Sequence, residues 1–209
     1  MTTKCVESYN HDRVLSASGL NTVLFSDPYA KLCYMAELSS AYGDVAYIDL
    51  DTAFAAYHRA GLVRTGKKVD IYLPSEGRFM PMFKEVLATM DGRSLVVLDS
   101  INSFYAMYYG YYKRRERSGG NLNHLLSVLL MLLVRHGVSS GVPVLATSML
   151  RYRKEGGWKQ SPASRRLLQQ KSATRTSVDL VGNDVVLRVL AHETVPEGTV
   201  ISYPVKSLG

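Results

Sequence analysis

The 209-residue chain carries 25 Lys+Arg against 18 Asp+Glu, a net charge of +7, and 46% of its residues are apolar. That length and apolar share support a sizeable buried core and exclude a disordered or fibrous chain. Two cysteines, Cys5 and Cys33, are too few for a disulfide framework and point to a reducing compartment.

Met1 to Asn10 is polar and lacks the apolar stretch of a secretory leader. Residues 1–18 are therefore expected as a short N-terminal segment ahead of a single domain over 19–209. Short apolar runs then alternate with helical patterns, as in repeated β-α units on a mostly parallel sheet. Asn21–Ser26 predicts the first buried strand, and Tyr29 to Tyr42 a helix in which Cys33 is a small core residue. Val45–Asp49 predicts the second strand and Ala53–Ala60 a helical stretch. Lys68–Leu73 predicts the third strand, followed by a helix over Arg78–Met90 with Pro81 in its first turn, where the missing N–H is tolerated. Ser94–Asp99 predicts a fourth strand, apolar until its carboxylate, Asn121–His136 a long helix, and Pro143–Thr147 a fifth strand. Ser177–Leu180, Asp184–Ala191 and Val200–Val205 read as shorter strands joined by the turn signals Gly182-Asn183 and Pro196-Glu197-Gly198. The expected fold is α/β: a mostly parallel central sheet with helices on both faces and a β-rich antiparallel C-terminal extension. The longest apolar run, Leu125 to Val134 with Ser127 inside it, is too short to cross a bilayer. A soluble, cytoplasmic protein (nuclear in a eukaryote) that makes no membrane contact is the expectation.

Two chemistries are excluded by context. Gly137-Val138-Ser139-Ser140-Gly141 matches the nucleophile-elbow pattern, but that chemistry needs a strand before the serine and a helix after it. Here a helix comes first and a strand second, so the segment reads as a helix C-terminal turn. His11, His58, His124, His136 and His192 share no metal-ligand spacing with one another or with the cysteines.

The positive charge is concentrated. Tyr111 to Arg175 holds thirteen Lys/Arg against Glu116 and Glu155, leaving the remainder of the chain acidic. Such an asymmetry is the footprint of a polyanion partner. It falls into two segments. The first has Tyr105, Tyr108, Tyr109, Tyr111 and Tyr112, then Lys113, Arg114, Arg115, Glu116, Arg117 and Gly119-Gly120. The second has Arg151, Arg153, Lys154, Gly156-Gly157, Trp158 and Lys159, continuing to Arg165 and Arg166. Cations contact phosphates, aromatic faces stack on bases, and glycines let the backbone come close, so single-stranded nucleic acid is expected to bind without strong base preference. Tyr105, Tyr108, Tyr109 and Tyr112 recur at three- and four-residue spacing, so half or more of them are expected to pack a helix face.

Between the first strand and the first helix stands Phe25-Ser-Asp-Pro-Tyr-Ala-Lys31-Leu32. Set against the phosphate-cradling pattern G-x-x-x-x-G-K-S/T, Lys31 alone survives. Phe25 and Ala30 replace the glycines, Leu32 replaces the metal-binding hydroxyl, Pro28 removes an N–H, and Asp27 brings negative charge to where phosphates would lie.

The order of these segments resembles the core of the RecA/RadA recombinase superfamily, including KaiC-like and RadA-paralogue proteins, over roughly Gly19 to Pro204. Tyr47-Ile-Asp-Leu-Asp51 is similar to the second-strand motif, with Asp51 where the family's catalytic Glu stands. Leu95-Val-Val-Leu-Asp99-Ser100-Ile101 resembles the Walker B strand, whose Asp holds Mg2+ through water. Pro143-Val-Leu-Ala-Thr147-Ser148 resembles the fifth strand, with Thr147-Ser148 replacing the usual Asn-Gln, and Asp184-Val-Val-Leu-Arg188 to Tyr203 resembles the closing strands. The resemblance implies that the loops after the fourth and fifth strands grip nucleic acid, and both basic segments fall there. It implies RecA-like homo- or hetero-oligomer partners. It makes Asp51 and Asp99 the catalytic candidates and Lys31 a nucleotide-binding remnant, with ATP and Mg2+ as the cofactors if the degenerate site still binds. The leading expectation is a paralogue that binds single-stranded DNA in recombination or repair and has lost ordinary ATP hydrolysis. The alternatives are a divergent ATPase using Lys31, Asp51 and Asp99, or a scaffold subunit of a ring complex that binds tRNA.

Overall fold

Residue alternation along the buried strands sorts the core into two layers, one on each side of a single sheet. A computed structural model describes residues 14–65, 68–75, 77–114, 122–154 and 158–205. The chain runs β1 (Leu20–Phe25), α1 (Pro28–Tyr42), β2 (Val45–Asp49), α2 (Ala53–Arg59), β3 (Val69–Tyr72), α3 (Phe79–Ala88), a 3-10 turn at Met90–Gly92, β4 (Leu95–Asp99), α4 (Ile101–Arg114) and α5 (Leu122–Ser140). It continues as β5 (Val144–Lys154), β6 (Trp158–Pro162), α6 (Arg165–Lys171), β7 (Ser172–Val181), β8 (Asp184–Ala191) and β9 (Val200–Pro204). The strands lie in the order β3-β2-β4-β5-β1-β7-β8-β9, and β6 pairs with β5 beside this path. β3 through β7 in that spatial order are parallel, whereas β8 and β9 add antiparallel strands at one edge. The expected α/β sheet with an antiparallel C-terminal extension is observed.

The parallel strands are buried on both faces, as crossover helices require. Val23, Phe25, Val45, Tyr47, Leu95, Val97 and Leu145 point to the layer built by α1 and Phe54 of α2. Their alternates Leu24, Ala46, Ile48, Val96, Leu98 and Ala146 point to the layer of α3, α4 and α5. Two glycines are required by the backbone. Gly43 ends α1 at φ 97°, a conformation a side chain would oppose. In α5, a Cβ on Gly137 would meet the Val142 carbonyl oxygen at 2.6 Å, so the helix can lie this close to the turn entering β5 because position 137 has none.

α5 is 19 residues long and apolar enough to satisfy the length and hydropathy criteria for a membrane span. Its Leu126, Leu129, Leu130 and Leu133 nevertheless pack into the sheet layer, as in a core helix. Gly141, at φ 68°, ends the helix, and Ser139 Oγ donates to the His136 carbonyl at 2.8 Å. The apparent nucleophile elbow is therefore a helix C-terminal turn, as its context predicts. Cys33 is fully buried.

Three expectations need correction. The fifth strand does not stop at Thr147; β5 runs to Lys154 and pairs antiparallel with β6, so Arg151, Arg153, Lys154, Trp158 and Lys159 lie on paired strands rather than loop, Arg165 and Arg166 lie in α6, and residues 155–157 are outside the described residues. Hydrogen bonding to β6 carries β5 beyond its pairing with β1 and β4. The first basic segment begins as helix, because α4 continues to Arg114. The seventh strand starts at Ser172, well ahead of the expected Ser177, because it pairs with β1 along that strand's whole length.

Candidate functional site

The carboxyl ends of β1, β2, β4 and β5 meet at a cleft of about 530 Å³, lined among others by Tyr29, Lys31, Asp51, Tyr57, Met149 and Arg151. Such an edge is where open parallel sheets bind ligands. The corner between β1 and α1 is narrow: Ser26 and Asp27 are all that separate strand from helix. Asp27 is the N-cap, its carboxylate accepting the Tyr29 N–H at 2.8 Å. Its carbonyl accepts the Lys31 N–H at 3.1 Å, and Pro28 has no N–H to offer. Of the donors at this helix start, Pro28 has none and those of Tyr29 and Lys31 are already used, beside the negative charge of Asp27.

Lys31 is buried, and its ammonium is taken. Nζ donates to Asp51 Oδ2 at 2.9 Å and to Asp99 Oδ1 and Oδ2 at 3.0 and 2.8 Å, with the Phe25 ring 5.3 Å away. Burial alone would lower the lysine pKa, but Asp99 and Asp51 outweigh it and hold the ammonium above its ordinary value. Asp99, fully buried at the end of β4, also accepts the Tyr47 hydroxyl at 2.6 Å and the Thr147 hydroxyl. Burial, reinforced by Asp99, raises the Tyr47 pKa well above 10, so its hydroxyl stays a donor.

Asp51 is half-exposed at the cleft. Its Oδ1 accepts the Ala53 N–H at 3.1 Å, and Asp49 Oδ2 accepts the Ala55 N–H at 2.7 Å, so both carboxylates sit over the start of α2. Thr52, at φ 64°, makes the turn into that helix. Asp49 is fully buried and its Oδ1 has no hydrogen-bond partner. Burial, partly offset by the Ala55 N–H and reinforced by Asp99 and Asp51, pushes the Asp49 carboxyl up to about 7.

The expected trio of Lys31, Asp51 and Asp99 is thus brought together, but as an internal ion pair. These residues do not fit a magnesium-bound triphosphate: Lys31 is already paired, Leu32 rather than a hydroxyl follows it, and the carboxylates Asp27 and Asp51 line the cleft. Tyr47, Asp49 and Thr147 join the cluster without having been expected there. Period-two alternation could have found them, because Tyr47 and Asp49 share one face of β2, and Asp99 and Thr147 point to the same layer from neighbouring strands.

Arg151 is exposed at the cleft mouth, on the stretch of β5 entering the hairpin. In the hairpin register Arg151 lies opposite Ser161, Arg153 opposite Lys159 and Lys154 opposite Trp158. Arg165 and Arg166 are exposed at the start of α6, just beyond the end of β6. Tyr105 joins these elements, its hydroxyl bonding Asn123 Oδ1 of α5 at 2.6 Å and Ser164 Oγ just before α6. Tyr108 packs edge-on against Phe79 at 5.6 Å and tilted against Phe104 at 4.6 Å, while Tyr109 is 65% exposed. Tyr105 and Tyr108 are therefore packing residues, as their helical spacing predicts. Tyr112, Lys113 and Arg114 lie in the last turn of α4; Arg115 and Arg117 lie outside the described residues.

No protein-family model and no curated protein sequence matches the chain. Among solved structures, it is similar to the crystal structure of the RadB recombinase, with a TM-score of 0.69 at 18% identity over 92% of this chain and 90% of that one. The sheet order, the carboxylate-ended β2 and β4, and this likeness agree: the chain has a RecA-like α/β fold.

Proposed function

We propose that the chain is a non-canonical RecA-like paralogue that binds single-stranded nucleic acid, DNA in recombination or repair, through its two basic aromatic segments, without ordinary ATP hydrolysis. The observation that carries this reading is the register of β4 against β5. The two strands are adjacent and parallel, so the segments that follow them leave the same carboxyl edge side by side. The α4 segment contributes Tyr112, Lys113, Arg114, Arg115 and Arg117 in sequence, and the hairpin and α6 contribute Arg151, Arg153, Lys154, Trp158, Lys159, Arg165 and Arg166. Among the described residues, Arg151, Arg165 and Arg166 make no ion pair, which leaves exposed positive charge for phosphates. The likeness to a recombinase supports placing the activity in recombination, in the cytoplasm, with RecA-like subunits of the same or another chain as partners.

The loss of hydrolysis rests on the Lys31 ion pair. Phosphate release from ATP that disappears in Asp99→Ala would instead establish a divergent ATPase. The chain has a single tryptophan, so its intrinsic tryptophan fluorescence reports on Trp158 alone. Stacking of a base on Trp158 predicts saturable quenching by an unlabelled oligothymidylate, reversed by salt. Unchanged emission at saturating oligonucleotide would refute Trp158 as a stacking residue.

A further inference from the structure

Asp49, Asp51 and Asp99 each offer an oxygen within 4.8 Å of the others, from the ends of two adjacent strands. Asp49 adds a second observation: it is fully buried, belongs to this set, and has one oxygen without a partner. Three carboxyl groups at such spacing need a cation or protons to coexist. One cation is present, as the Lys31 ammonium, which spans Asp51 and both oxygens of Asp99. Hard oxygen donors at this spacing suit Mg2+ or Mn2+.

We infer that Lys31 is a built-in cation occupying the place of a divalent ion, and that the three carboxylates form a metal site masked by this side chain rather than dismantled. Lys31 reaches the site because α1 begins so close to β1 that its fourth residue stands beneath the carboxylates; the same short corner that removes the phosphate cradle delivers the ammonium. A divalent ion and an ammonium cannot share these oxygens, since the like charges would repel strongly at contact distance in a buried setting. The site is therefore indifferent to metal while Lys31 is present and becomes a metal site when it is removed. This inference does not depend on nucleic-acid binding.

The test uses the full chain with Mn2+ as probe, reading free Mn2+ by electron paramagnetic resonance and folding by thermal melting. Wild type should bind no Mn2+ at millimolar concentration and melt identically in Mn2+ and in EDTA. Lys31→Ala should bind one Mn2+ per chain, at least about a hundredfold more tightly than wild type, and melt higher with Mn2+ than in EDTA. Adding Asp99→Asn to it should abolish that binding. Lys31→Met, which keeps more of the packing, provides a second background: if either variant unfolds in EDTA, Mn2+ should restore its folding. Mn2+ binding by wild type, no binding by either folded variant, or variants that stay unfolded in Mn2+ would overturn the inference.

Discussion

Two neighbouring regions of the same sheet edge handle charge in opposite ways. Where β1, β2 and β4 end, charges are answered internally: Asp27 caps its own helix, and Lys31 is held by Asp51 and Asp99. Where β5 and α6 emerge, Arg151, Arg165 and Arg166 stand exposed. A buried charge left unpaired is costly, whereas a solvated one is nearly free and available to a partner. On the proposed function the first region serves stability and the second recognition, so substitutions in one should leave the other's property untouched.

The largest expected effect breaks the buried pair. Lys31→Ala should lower the unfolding free energy by about 3–5 kcal/mol, because it leaves the Asp99 carboxylate buried without its counter-charge. Replacing both members with apolar residues should cost less than either single change. Urea denaturation in EDTA measures both, and additive losses would contradict the pairing. Next is Trp158→Ala, expected to cost about 1–3 kcal/mol of single-strand affinity with no change in the urea midpoint. Removing the Asp27 cap is smaller: Asp27→Ala should cost about 0.5–2 kcal/mol of stability and leave nucleic-acid affinity alone. Taking away one of the cations proposed to bind phosphate, in Arg151→Ala or Arg165→Ala, should flatten the slope of log affinity against log salt by about 0.7.

The smallest effect is on pH dependence. Asp49 faces Asp51 and Asp99, with Lys31 and Tyr47 across the cluster, and its carboxyl is raised to about 7 from an ordinary 3.8. Between those values the folded chain holds a proton that the unfolded chain releases, so this group's contribution to stability declines as pH rises toward 7. Asp49→Asn should remove that decline. Melting temperatures measured from pH 5 to 8 decide it, and parallel curves for the two proteins would contradict the assignment.

Much of this was legible in the residues. Val45–Asp49 matches β2 at both ends, and β1 and β4 differ from expectation by single residues, because apolar runs bounded by polar turns mark buried parallel strands. The departures from the phosphate-cradling pattern at Pro28, Asp27 and Leu32 were also readable. The fate of Lys31 was not. Its partners come from two strands far apart in sequence, and strand adjacency puts Asp99 beside Asp49 and within reach of Lys31. The hairpin was hidden for a related reason: β5 beyond Thr147 is defined by pairing with β6, and the charged run Arg151 to Lys154 carries no apolar period to announce it. Helix α4 announced itself through its tyrosines, two of which do pack, but its charged end reads equally well as loop.

The central claim, that a basic aromatic surface works independently of a closed nucleotide corner, is tested most directly by fluorescence anisotropy with labelled single-stranded DNA, with and without ATP and Mg2+. The account predicts binding that weakens steeply with salt, falls in Arg114→Ala/Arg115→Ala and in Trp158→Ala, and is the same in either nucleotide condition. Binding that requires ATP and Mg2+, or that ignores both salt and these substitutions, would contradict it.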